Sequence, residues 1–211
     1  MAEPSIERFT EIVLNKLNNK KITGVYQVTE RDIVNNIRNL NDITLVVTEK
    51  CNLSFVYCSY GDLYQTEEQR GYRKMKIEMV RKLFSFLSQY WDRKPEGSTL
   101  NVSFYGGEPL LNMSIIKKTV DLLLLSFPWY KVSFSITSNG ILLDKYMDYL
   151  VDNNFRILIS LDGNRIHNSY RVTHCGKESF DAVIKNIDEF KEKYPDYFNN
   201  NISFNTVIHN K

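Results

Sequence analysis

The chain alternates repeatedly between short β-branched or aromatic runs and longer stretches of helical period, and few architectures accept that pattern. Strand character marks Ile43 to Val47, Leu100 to Tyr105, Val132 to Thr137, Arg156 to Leu161 and Ile202 to Ile208. Between them apolar residues recur at helical spacing: Met75, Met79, Val80, Leu83, Phe84 and Leu87, then Ile115 to Leu125, Leu143 to Val151, and Phe180 to Tyr194. Asp144 and Asp181 stand near two helix starts, where a carboxylate can accept orphan amide hydrogens and complement the helix dipole. Such alternation requires a parallel sheet covered by helices. Right-handed crossovers then leave two solutions, an open doubly wound sheet or a (β/α) barrel, and periodicity does not choose between them.

Both solutions gather chemistry at the carboxyl ends of the strands, and here those ends carry the unusual residues. Cys51 and Cys58 follow the first strand, Gly106-Gly107-Glu108-Pro109 the second, and Ser138-Asn139-Gly140 the third, while Ser160 and Asp162-Gly163 surround the end of the fourth. Successive strand ends therefore point at one site. Glycines there let the backbone approach a partner closely, and Pro109 suits the start of a helix.

Composition narrows the function classes. A chain of 211 residues with 43% hydrophobic content can bury a sizeable core and falls within the size of one domain. Its 27 basic and 25 acidic residues give a net charge of +2, spread along the chain, so no field for a polyanion is built and nucleic acid is not expected as a partner. Met1 to Thr10 is polar and charged, and the longest apolar run, Leu122 to Leu125, is far too short to cross a bilayer. The expectation is a soluble cytoplasmic protein with no membrane association. Three cysteines do not make a disulfide framework, whereas the Cys51 and Cys58 pair in a loop after a strand suits a metal or cluster.

Residues 1–40 read as an accessory N-terminal segment, with helical spacing over Ile6 to Leu17 and a short strand at Val25 to Val28, and residues 41–211 as the core. Gln65 to Lys74 and Asp92 to Ser98 are polar enough for exposed loops. No helix follows the fifth strand before Lys211, so the core is expected to be incomplete at its C-terminal end.

Thr48-Glu49-Lys50-Cys51-Asn52-Leu53-Ser54-Phe55-Val56-Tyr57-Cys58 resembles the signature of the radical S-adenosylmethionine superfamily, in which cysteines at the first, fifth and eighth positions hold a 4Fe-4S cluster. This chain has the first and the eighth, as metal-ligating Cys51 and Cys58, and Phe55 at the fifth, where no donor atom is available. The resemblance continues in Gly106-Gly107-Glu108-Pro109, in Ser138 and Asn139, in Ser160-Leu161-Asp162-Gly163 and in His167 with Tyr170-Arg171-Val172. It implies that Tyr57, Gly106, Gly107, Glu108, Pro109, Ser138, Asn139, Ser160, Asp162, Arg171 and Asn205 line the S-adenosylmethionine site, with the backbone at the glycines and Glu108 receiving the methionyl ammonium. His167 is assigned no role.

The implied fold is α/β, a partial (β/α) TIM-like barrel with parallel strands, of which this chain supplies about five of the usual six βα units. The implied chemistry is reductive cleavage of S-adenosylmethionine to a deoxyadenosyl radical, with a flavodoxin or ferredoxin as reductant. The stretches after the fourth strand are most similar to enzymes that modify peptides or install formylglycine, which makes a peptide or protein the expected substrate. Two thiolates predict a weaker, more labile cluster, for which Cys175 is a candidate replacement ligand. The alternative is a catalytically inactive relative or fragment that keeps the fold as a binding or partner subunit.

Overall fold

The computed structural model describes residues 27–55, 57–58, 71–91 and 97–208. The expected helix over Ile6 to Leu17, the first half of Val25 to Val28, and most of the two expected loops lie outside these residues. Gln27 and Val28 have no regular structure and lead into α1 (Glu30–Arg38), whose capping box, Thr29 with Asp32, sets its start.

Strands β1 (Asp42–Thr48), β3 (Thr99–Gly106), β4 (Lys131–Ser138), β5 (Arg156–Ser160) and β7 (Ile202–Asn205) form a parallel sheet in the order β1-β3-β4-β5-β7. Helices α2 (Ile77–Trp91), α3 (Met113–Ser126), α4 (Leu143–Asp152), and α6 (Phe180–Lys193) with α7 (Pro195–Asn201), make the connections, and the short α5 (Arg165–Asn168) lies between β5 and α6. The order never reverses. A doubly wound sheet reverses at a switch point, whereas strands added always on one side with right-handed crossovers place every connecting helix on one face, the arrangement of a (β/α) barrel. The expected partial barrel is the fold.

The two faces differ in chemistry because side chains alternate. Ile43, Leu45, Val47, Leu100, Val102, Phe104, Phe134, Ile136, Ile157 and Ile159 share the helix-covered face and are buried. Phe134 and Phe155 stack at 5.3 Å between ring centroids, and Phe104 lies 5.8 Å from Phe155. The other face is polar: Asn101 joins Asp42 and Ser133, and the Ser103 and Ser135 hydroxyls meet at 2.7 Å. Side chains on that face bond laterally within their layer, as residues lining a barrel interior do.

Where the structure departs from the sequence reading, short elements and local bonds are responsible. Strand β7 stops at Asn205 rather than Ile208, because the Val207 amide donates to the Asp162 carboxylate at 3.0 Å and Thr206 Oγ1 donates to Leu161 O at 2.8 Å, turning the chain across the end of β5. Pro195 starts the unanticipated α7. Asp144 and Asp181 do lie in first helical turns, but neither helix has a side-chain cap bond, and Asp181 pairs with Arg165 instead. A two-residue antiparallel pair, β2 (Leu53–Ser54) with β6 (Val172–Thr173), is too short to leave a periodic signal.

The chain divides into two compact units, residues 41–84 with 95–211, which hold the sheet, and residues 1–40 with 85–94. Within the smaller unit, Trp91 is fully buried and donates its indole N–H to Ile37 O at 3.0 Å.

Candidate functional site

The site is built on the stem of the loop that leaves β1. Gly107 N–H donates to Thr48 O at 2.9 Å and Glu108 N–H to Lys50 O at 2.8 Å, clamping the Gly-Gly-Glu-Pro turn to the backbone just before Cys51. A Cβ at Gly106, whose φ is +146°, would stand 2.2 Å from Thr48 O, and one at Gly107 would stand 2.3 Å from Lys50 O. These glycines are required because the chain's own cysteine-loop stem approaches them.

Glu108 is fully buried. Its carboxylate accepts from Leu110 N–H at 3.1 Å, Ser138 Oγ–H at 2.9 Å and Asn139 N–H at 2.8 Å. Burial pushes its pKa up to about 7, against the pull of the Asn139, Leu110 and Ser138 donors, which favour the ionised form. Pro109 begins the single 3₁₀ turn that follows, for which Glu108 is the cap. The carboxylate therefore faces inward and ties together the ends of β3 and β4. Asn139 passes the connection on: its side-chain amide donates to Asn52 Oδ1 at 2.8 Å and lies 3.8 Å from Cys51 Sγ. Leu53 N–H also points at Cys51 Sγ, at 3.4 Å.

The end of β5 makes a second buried junction. The Asp162 carboxylate receives Arg171 Nε at 2.7 Å and Nη2 at 3.2 Å, together with the Tyr57 hydroxyl and the Val207 amide. The Asp162 side chain is fully buried and that of Arg171 is 7% exposed. The Arg171 guanidinium lies 4.8 Å above the Phe55 ring and 5.7 Å from the Tyr57 ring, and the two rings are 4.9 Å apart. Tyr170 meets Tyr57 edge-on at 6.3 Å.

The structure thus brings Cys51, Tyr57, Gly106, Gly107, Glu108, Pro109, Ser138, Asn139, Asp162 and Arg171 to one end of the sheet. Ser160 and Asn205 are cross-strand partners there, half-buried and exposed respectively. Cys58 closes a turn by donating its N–H to Phe55 O at 3.1 Å. His167 is exposed, with its N–H capped by Asn164. Two partners had no signature of their own: Asn52, beside Cys51, and His174, whose Nε2 lies 2.9 Å from Cys51 O because β2 pairs with β6.

Three-thiolate ligation does not fit these residues. Position 55 presents a ring to a cation, and among the described residues no group of three or more His, Cys, Asp or Glu side chains is placed to hold a metal. Cys175, the candidate replacement, is exposed and bonded to Thr173 Oγ1 at 3.1 Å, so it does not join Cys51 and Cys58 in such a group. The physical reason is local: residues 173–177 close their own turn, with Gly176 N–H on Thr173 O and Thr173 N–H on Lys177 O.

Comparison with known families matches residues 45–210 to the Radical SAM superfamily. The chain belongs to this superfamily. Among curated radical SAM relatives, the cyclopropyl synthase TigE of Paramaledivibacter caminithermalis is 30% identical over 193 residues, covering 87% of this chain and 39% of TigE. The cysteine-type anaerobic sulfatase-maturating enzyme of Clostridium novyi is 26% identical, covering 75% of this chain and 43% of the enzyme. The solved structure of native anSMEcpe with bound AdoMet superposes with a TM-score of 0.62 at 25% identity, covering 79% of this chain and 43% of that one. This radical SAM chain spans about two fifths of the length of the relatives it matches. No helix among its described residues is long and apolar enough to cross a membrane.

Proposed function

We propose that this chain is a radical SAM core of the peptide- and protein-maturase kind that keeps the S-adenosylmethionine and peptide side of its barrel without normal ligation of a 4Fe-4S cluster, and that by itself it serves as a binding or partner subunit. The observation that carries this reading is the Phe55 ring, set under the Arg171 guanidinium at the position where the signature has its middle cysteine. Relatives named as sulfatase-maturating enzymes, and a neighbour solved with AdoMet, support a peptide or protein substrate and S-adenosylmethionine as the small ligand. Ser160 and Asn205, side by side on the polar face, and the backbone at Gly106 and Gly107 are the groups we assign to that ligand. Glu108 and Arg171 support it indirectly, since their charged groups are engaged inside the protein.

A second reading, an active enzyme supplied with electrons by a flavodoxin or ferredoxin, is favoured by the amide donors aimed at Cys51 Sγ, which suit a thiolate. Anaerobic reconstitution of the wild type beside Phe55→Cys decides between them, by iron and sulfide content, cluster absorbance and deoxyadenosine released from S-adenosylmethionine. The proposal expects binding of S-adenosylmethionine or peptide by the wild type with substoichiometric iron, and a cluster in the variant. Deoxyadenosine formed by the wild type favours the second reading, and a wild type that binds neither ligand overturns the proposal.

A further inference from the structure

Phe55 is built into its surroundings. Its ring sits 4.8 Å below the Arg171 guanidinium and 4.9 Å from the Tyr57 ring. Arg171 is gripped from the other side by the buried Asp162, whose carboxylate also takes the Tyr57 hydroxyl. The chain therefore runs from the cysteine loop through two aromatic rings and a cation to the end of β5, and returns to the loop through Tyr57. A backbone bond from Cys58 to Phe55 closes the turn, and pairing of Leu53 with Thr173 keeps the Arg171 segment alongside. A guanidinium over a ring is attracted to its negative face, more strongly when water is excluded, as it is around a side chain only 7% exposed.

We infer that Arg171 is a positioning residue for the cysteine stretch, holding Phe55 and Tyr57 by their ring faces so that Cys51 and Cys58 keep their places in metal-free protein. The inference rests on the reading that this loop lacks a three-thiolate cluster. A loop that loses a ligand ordinarily loses its anchor; here the residue at that position supplies another.

The test uses the full chain, reduced and stripped of metal by chelation, with no S-adenosylmethionine present, so its outcome is separable from that of reconstitution. Alkylation by iodoacetamide is followed at each cysteine by mass spectrometry, with exposed Cys175 as internal reference. Phe55→Tyr keeps a ring face; Phe55→Leu keeps apolar bulk and removes the face; Arg171→Lys keeps a charge and removes the planar fork. Relative to Cys175, labelling of Cys51 and Cys58 is expected to rise about tenfold in Phe55→Leu, and to stay within about twofold of wild type in Phe55→Tyr. Arg171→Lys is expected to lie between them. Equal labelling of Phe55→Leu and wild type, or of Phe55→Tyr and Phe55→Leu, overturns the inference, because a merely space-filling residue does not need a ring. If Arg171→Lys does not fold, the Phe55 pair decides alone.

Discussion

Replacing Asp162 by Asn is the most informative single change to the fold around the site. The carboxylate is fully buried and receives two guanidinium nitrogens, a phenol and a backbone amide. Asparagine keeps one acceptor oxygen, turns the other position into a donor facing donors, and leaves the Arg171 charge at 7% exposure without its counter-ion. Breaking one side of a buried pair costs about 3–5 kcal/mol, a large share of the ~5–15 kcal/mol that holds a domain together. With a urea slope of about 2 kcal/mol per molar, the midpoint should fall by roughly 1.5–2.5 M in equilibrium unfolding of the whole chain. The double variant Asp162→Asn with Arg171→Met removes both charges and should recover part of the loss, because the penalty lies in the stranded cation. A midpoint shift below about 0.3 M, or a double variant no more stable than the single one, would refute the reasoning.

Two further perturbations test the other junctions. Glu108 has a folded pKa of about 7 against an ordinary 4.5, so the folded state holds its proton more tightly; the associated stability is complete below pH 4.5 and lost as the pH rises through 7. The amplitude is about 3 kcal/mol at most, and the stability of the wild type relative to Glu108→Gln, measured by urea unfolding from pH 4.5 to 8, should decline by up to that amount across the window. Gly107→Ala places a methyl group 2.3 Å from Lys50 O, a backbone atom that moves only with the β1 loop. The expected cost is about 1–3 kcal/mol, read from the thermal midpoint, and an unchanged midpoint would show that the loop stem yields freely.

Most of the sheet was legible in the sequence because its strands are runs such as Ile43 to Val47 whose alternate residues face the helices, and its longer helices repeat apolar residues at helical spacing. The location of the site was legible for a topological reason, since loops after parallel strands share one end of the sheet. What the sequence could not display is direction. Glu108 and Arg171 read as charges at a ligand site, and the sequence gives no sign of the partners they take inside the chain, Asn139 N–H for the one and Asp162 for the other, which depend on donors and acceptors that only the folded chain supplies. The early end of β7 has the same origin, because capture of the Val207 amide by Asp162 outweighs the strand propensity of Val207 and Ile208.

The short β2–β6 pairing has a mechanical consequence. Strands β1 and β5 are separated in the sheet by β3 and β4, yet the segments that follow them are laced together at Leu53 and Thr173, like a cross-tie spanning two rafters. Neither segment can lift away alone. Thermal breathing at this rim is therefore expected to be a joint event, in which opening of the Val172 and Glu178 bridge and of the Leu53 and Thr173 pair go together.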